Sequence, residues 1–244
     1  MHVLKKFILL KKLNFILFLF VLSNCECTGG TQKKGISIVY LFDVSGSFYQ
    51  DALSSSIILS EKIFDDIISP GGIPFYSGSQ IHQIATIDQK SVTKGGLCSA
   101  VIKQENIFAD TPQNISIDHC LNSVKRAQKA SATNIKGSLF NAGKALENDN
   151  LYGKGIIIFS DMREEVSKIK KYPINLNGVS VFVIWEISNA QLEDPTSLQQ
   201  DKNNLKTLLL DAGCENDKIK FKSLSSVINS PNMVSKYFRN SFKK

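Results

Sequence analysis

Two kinds of apolar run alternate along the chain, and their alternation predicts an α/β protein. Ile36, Ile38, Val39, Tyr40, Leu41 and Phe42 are too continuously apolar for a half-exposed strand. They predict a strand covered on both faces, as in a parallel sheet packed between helices. Over 48–69, Leu53, Ile57, Ile58, Phe64, Ile67 and Ile68 recur near helical spacing, and Pro70-Gly71-Gly72 ends the pattern. A second strand follows at 79–88. The stretch 89–116 is poorly periodic and carries Lys94-Gly95-Gly96, Cys98 and Pro112. It predicts long loops around a short strand near 106–109, with a structural rather than a functional role. Helices are predicted at 117–129 and 137–147, and a second buried strand at 155–159, GIIIF. Another helix is predicted from 162 to 169, with Glu164 and Glu165 in its first turn as the helix dipole favours. The remaining elements are a very apolar strand at 179–187, a helix at 198–212 ended by Gly213, an edge strand at 218–224 and a terminal helix at 233–242. Strand, helix, strand in succession builds a doubly wound, mostly parallel central sheet flanked by helices. No internal repeat, low-complexity segment or second domain interrupts it.

The first 34 residues follow a different pattern. Lys5, Lys6, Lys11 and Lys12 flank apolar residues, and 13–22 is a short apolar run ending in small and polar residues, the pattern of a secretory signal. The run is too short for a comfortable permanent membrane span. It ends in Leu22-Ser23-Asn24-Cys25, which resembles the lipobox of bacterial lipoproteins, although Asn24 departs from the small residue usual there. That resemblance implies lipidation of Cys25 and a place in the bacterial cell envelope, anchored to a membrane; the alternative is a secreted or periplasmic protein. The expected organisation is a signal peptide at 1–24, a polar, Gly-containing tether at 25–34 and one domain at 35–244.

Charge alters little. The formal net charge is +7, and residues 1–24 contribute four lysines and no acid, so the remainder carries +3. Lys236, Arg239, Lys243 and Lys244 account for that excess at one helix end. A basic face with aromatics or a nucleic-acid module is not apparent, and nucleic acid is not an expected partner. The cysteines are Cys25, Cys27, Cys98, Cys120 and Cys214. An exported chain permits disulfides, and Cys98 with Cys120 is the expected pair because both flank one loop-rich region. Cys214 reads as a small buried hydrophobe, and no CxxC spacing supports structural zinc.

Candidate chemistry sits where strands end. The first buried strand runs directly into Asp43-Val44-Ser45-Gly46-Ser47. In open α/β sheets, ligands bind beyond the carboxyl ends of the strands. A carboxylate and two hydroxyls at alternate positions suit a hard, oxygen-seeking cation such as Mg²⁺, and the loop has no soft ligand for zinc or copper. The same residues also fit an ordinary Asp/Ser/Gly turn in which Asp43 bonds backbone amides. Thr133 lies just before a helix, where Thr133 or Asn134 serves as an N-cap candidate. The strand GIIIF ends in Ser160-Asp161, so two buried strands each terminate in an aspartate.

Taken in chain order, DVSGS, Ala132-Thr133-Asn134-Ile135 and IIIFSDM resemble the three loops of the metal-ion-dependent adhesion site of the von Willebrand factor A domain family. The resemblance covers roughly residues 35 to 230. It implies that Ser45 and Ser47 ligate Mg²⁺ or Mn²⁺ directly, and that Thr133, Asp43 and Asp161 complete the shell directly or through water. It further implies an open position filled by an Asp or Glu of a partner protein, with no small-molecule substrate. Two features depart from the family pattern: Met162 stands where many members have Gly, and the long gap between Asp43 and Thr133 holds the loop with Cys98.

Other functions compete. An aspartate at a strand end with Mg²⁺ also describes HAD-type phosphatases, but these need a second Asp two residues on, where this chain has Ser45. Hydrolase elbow and P-loop motifs are missing, and His82 and His119 have no neighbouring nucleophile, so each is expected to be structural or on the surface. The expectation is a protein-binding module rather than an enzyme. The alternative is an envelope assembly subunit with a degenerate metal site or, less favoured, a Mg²⁺ phosphohydrolase.

Overall fold

The computed structural model describes residues 33–69, 79–88, 98–102, 115–164 and 172–242. Residues 1–32, with the leader, Cys25 and the tether, lie outside it, as does the strand expected at 106–109.

β1 (Lys33–Asp43) is the longest strand and the centre of the sheet. It pairs in parallel with β2 (Ser79–Ile87) on one side and β4 (Leu151–Ser160) on the other. Beyond β2 lies β3 (Cys98–Ile102), which runs antiparallel; beyond β4 lie β5 (Val179–Trp185) and β6 (Ile219–Ser223), both parallel. The order is therefore β3-β2-β1-β4-β5-β6. This is a doubly wound α/β sheet, and its winding reverses between β1 and β4.

The period-2 geometry of a strand divides the apolar run of β1 between two cores. Ile36, Ile38, Tyr40 and Phe42 face one layer with Ile157, Phe159 and Phe182; Val39 and Leu41 face the other with Ile156, Ile158, Val181 and Val183. The first layer is closed by α1 (Gly46–Asp51), α2 (Leu53–Ile68), α3 (Ile115–Lys125), α7 (Leu224–Asn229) and α8 (Asn232–Ser241). The second is closed by α4 (Ile135–Asp149) and α6 (Pro195–Asp211), with the short α5 (Asn189–Glu193) at the sheet's carboxyl end. Gly155 of β4 is required by close approach, since a Cβ there would come within 2.7 Å of the Phe238 ring. Cys98, at the start of β3, forms a disulfide with Cys120 of α3, fastening the antiparallel strand to the first helical layer.

Several local readings change. The helix predicted over 48–69 is two helices meeting at Ala52. A strand that the pattern does not predict, β3 at Cys98–Ile102, lies in the loop-rich region. No helix starts at Met162: residues 161–164 are irregular, and Met162 has φ 67°.

His82 of β2 is fully buried, between Tyr40 Oη at 3.1 Å and Gln80 Oε1 at 3.2 Å, with its ring edge-on to Phe64. Desolvation pushes its pKa down to about 3. The unfolded chain protonates this imidazole below pH ~6.5 while the native state keeps it neutral, so its contribution to stability is lost as pH falls from 6.5 toward 3. Urea midpoints of wild type and His82→Gln, measured from pH 7.5 to 4.5, are expected to converge as pH falls. A pH-independent difference would refute this role.

Candidate metal-binding site

The turn after β1 builds the site from local rules. Gly46 has φ 37°, in the left-handed region that glycine enters without penalty, and lets the chain reverse directly into α1. Ser45 then occupies the N-cap position of α1 in extended conformation but makes no side-chain cap bond. Its hydroxyl instead donates to Asp43 Oδ1 at 2.5 Å, and its amide donates to the same oxygen at 2.9 Å. Because its one proton is committed to Asp43, Ser45 Oγ accepts from Thr133 Oγ1 in the short contact between these hydroxyls. Both the turn role and the clustering of oxygens are present: Asp43 does bond a backbone amide, and it also gathers side-chain donors.

The backbone closes the long sequence gap to Thr133. Ala130 forms an isolated parallel bridge with Ser45: its amide donates to Val44 O at 2.8 Å, and its carbonyl accepts from Gly46 N at 3.4 Å. That bridge lays 127–134 alongside the first turn. The cap of α4 falls to Asn134, whose Oδ1 accepts from Gly137 N at 2.8 Å. Thr133 is thereby released from capping and faces Ser45.

The third segment comes from the adjoining strand. Ser160, at the end of β4, donates to Asp43 Oδ2 at 2.7 Å and accepts from Met162 N at 2.9 Å. Asp161 Oδ1 accepts from Arg163 N at 3.1 Å. Asp43, Ser45, Thr133, Ser160 and Asp161 are all buried. Burial first, and then the charge of Asp161, pushes the Asp43 carboxyl up to about pH 7 despite three hydrogen bonds that favour its ionised form. The structure thus brings together Asp43, Ser45, Thr133 and Asp161 at the point where the sheet's winding reverses. Ser47 lies in the first turn of α1, and its side chain is outside the described residues.

These donors are all oxygens, two carboxylates and two hydroxyls, which suits a hard divalent cation. Among the described residues no group of three or more His, Cys, Asp or Glu could hold a metal, which sets this hydroxyl-rich cluster apart from zinc-type sites.

Sequence reasoning missed two contributors. Ser160 enters the sequence pattern only as the residue before Asp161, and Gln191 belongs to no motif. Gln191 is buried on α5 and donates from Nε2 to Asp161 O and to Asp201 Oδ2, both at 2.9 Å, while its Oε1 accepts from Ser188 N at 3.1 Å. Beside this bracket, Ile135, Lys136, Met162, Glu164, Asp201 and Leu205 help line a cavity of about 440 Å³.

The sequence matches no protein-family model and no curated protein. Solved structures do match. A form of the pilus adhesin SpaC from Lactobacillus rhamnosus GG superposes with TM-score 0.56 at 11% identity, over 87% of this chain and 31% of the adhesin. The conserved hypothetical protein BatB from Bacteroides thetaiotaomicron gives TM-score 0.50 at 13% identity, over 86% of this chain and 100% of BatB. A von Willebrand factor type A protein from Catenulispora acidiphila gives TM-score 0.43 at 14% identity, over 86% of this chain and 42% of that one. The chain thus spans about a third of the adhesin's length. Likeness at these identities concerns the fold alone, the α/β architecture shared with the SpaC and BatB structures.

Proposed function

We propose that this domain is a metal-ion-dependent protein-binding module, taking Mg²⁺ or Mn²⁺ at Asp43, Ser45, Ser47, Thr133 and Asp161 and, through that cation, an acidic side chain of a partner protein. The observation that carries the reading is the Ser45 hydroxyl, which stands at a helix N-cap yet turns to Asp43 and Thr133. A turn serving only its backbone would spend that hydroxyl on the helix end, where it is ordinarily worth about 1 kcal/mol.

When bound, the cation supplies a positive centre whose attraction for a carboxylate offsets that group's desolvation. The rest is done by the chain. Ser160 and the Ser45 amide fix the Asp43 carboxylate, the Ala130 bridge fixes Thr133 against Ser45, and folding rather than binding meets the cost of ordering these groups. In this reading the site holds a ligand and does not turn it over.

In this reading the chain is exported, residues 1–24 are removed, and 25–34 tether the domain to lipid on Cys25 at the bacterial envelope. Likeness to a protein named as a pilus adhesin is compatible with such a role.

Thermal unfolding in EDTA and in rising Mg²⁺ or Mn²⁺ tests the metal. A cation at a hundred times its dissociation constant should stabilise wild type by about 2.7 kcal/mol. Ser45→Ala should lose that response, and its midpoint in EDTA should fall as well because Asp43 and Thr133 each lose a buried hydrogen bond. A wild type indifferent to both cations would overturn the reading. Comparing the intact mass and envelope fractionation of wild type with Cys25→Ala tests the anchor.

A further inference from the structure

Gln191 lies outside the three loops that supply the candidate ligands, yet its side chain is bonded to the backbone of one of them. It is 2% exposed, and both amide protons are used, donating to Asp161 O and Asp201 Oδ2, while the oxygen accepts from Ser188 N. Three segments meet there: the turn after β4, the turn after β5 and the first half of α6. The turn after β4 otherwise has weak local support. Its residue Met162 adopts φ 67°, which carries a steric cost for any side chain. No described residue from 161 to 164 belongs to a helix or strand that would fix it.

We propose that Gln191 is a positioning residue for the candidate metal site, holding the Asp161 carbonyl so that the Asp161 carboxylate is presented toward Asp43. The direction of that carboxylate follows from the backbone. The Asp161 carbonyl is anchored by Gln191 on one side, and Arg163 N and Ser160 Oγ engage the same turn on the other. The Asp161–Met162 peptide is thus tied through its carbonyl and its N–H, and on that fixed backbone Arg163 N holds the Asp161 carboxylate at Oδ1. Asp201 completes the bracket from α6 through its bond to Gln191, so its role in placing Asp161 is indirect. The proposal rests on the metal-binding reading for its effect on affinity, though not for the geometry it asserts.

Gln191→Met keeps length and volume while removing both donors. Asp201→Asn keeps an acceptor for Gln191 and leaves the bond to Asp161 O intact, so it serves as the control. Outer-shell partners of metal ligands typically change affinity 10- to 100-fold. Gln191→Met should therefore weaken Mn²⁺ binding by about 10-fold or more, and Asp201→Asn by less than about 3-fold. In metal-free protein, amide exchange at Met162 and Arg163 should accelerate in Gln191→Met and stay unchanged in Asp201→Asn. Equal Mn²⁺ affinity and equal exchange in Gln191→Met and wild type would overturn the proposal. If wild type binds no Mn²⁺ while exchange still accelerates, the metal reading fails and the positioning role stands. Should Gln191→Met not fold, the wild-type side-chain amide protons of Gln191 decide the matter: slow exchange is expected, and rapid exchange with solvent would refute the bracket.

Discussion

Asp43→Asn is expected to stabilise the metal-free domain while abolishing its response to Mg²⁺. The carboxyl is fully buried, and its pKa is raised to about 7 by desolvation and by Asp161. Unfolded, the same group titrates near 3.9. Below that pH both states are protonated and Asp43 contributes nothing. Between about 4 and 7 the unfolded chain loses its proton while the folded chain keeps it, so stability falls as pH rises. Above pH 7 the full penalty is present, on the order of a few kcal/mol. Asparagine avoids it with little loss of bonding. Its Oδ1 can accept from Ser45 as before, and its Nδ2 can donate to Ser160 Oγ, whose proton is then free to turn elsewhere. Urea denaturation in EDTA at pH 8 should thus give Asp43→Asn a higher midpoint than wild type, with the difference shrinking toward pH 4. In Mg²⁺ the order should narrow or reverse, since only wild type gains. A destabilised Asp43→Asn in EDTA at pH 8 would refute the account of a carboxylate held there at a cost. Stability given up at a site in this way is a common companion of function.

The second large effect concerns what holds the two aspartate-bearing strand ends together. Phe42 and Phe159 are register partners on β1 and β4, stacked with ring centroids 4.7 Å apart and planes within 4°, and both are fully buried. Each immediately precedes a site segment, Asp43 in one case and Ser160-Asp161 in the other. Truncating a buried phenylalanine removes its transfer energy and leaves a cavity, at a cost of about 3–5 kcal/mol. That is a large part of the ~5–15 kcal/mol by which such domains are stable. Phe159→Ala should lower the urea midpoint accordingly with an unchanged slope, and Phe159→Leu should lose less than about half as much. A loss under 1 kcal/mol for Phe159→Ala would refute the pair's role in holding these strand ends together.

The sheet was legible in the sequence where burial on both faces leaves an unbroken apolar run, as in β1, β4 and β5, because no surface position intrudes. β3 was not. Its five residues, CSAVI, lack such a run, and their strand conformation comes from pairing with β2 and attachment to α3. The helix expected at 162–169 does not include its described residues, 162–164. Glu164 does serve a helix N-terminus, as its acidity suggested, but the helix is α4: Glu164 Oε2 accepts from Lys136 N at 3.1 Å. Composition carried the right electrostatics and the wrong address.

Asp43, Ser45, Thr133 and Asp161 could be found because strand ends and hydroxyl spacing leave a pattern. Whether Thr133 or Asn134 was the cap could not be read from sequence, since both side chains can cap and only the Ala130 bridge decides which one turns inward. Gln191 left no trace, because a lone glutamine in a connecting turn has neither period nor partner until the chain is folded.

β1 also has a mechanical consequence. Its first residue, Lys33, and the Asp43 turn lie at opposite ends of an eleven-residue strand, roughly 33 Å apart. The strand is flanked on both edges by parallel neighbours, in continuous register with β2 from Gly35 to Asp43 and with β4 from Ile36 to Phe42. Tension between Lys33 and a partner gripping the Asp43 turn would be carried lengthwise by the covalent backbone of β1, which is already extended, so no ladder hydrogen bond has to open. A pull across the sheet, between Val101 and Lys220 on the two edge strands, would instead peel bonds singly. Single-molecule extension along these two axes should therefore show the higher rupture force for the axis that ends at the candidate site.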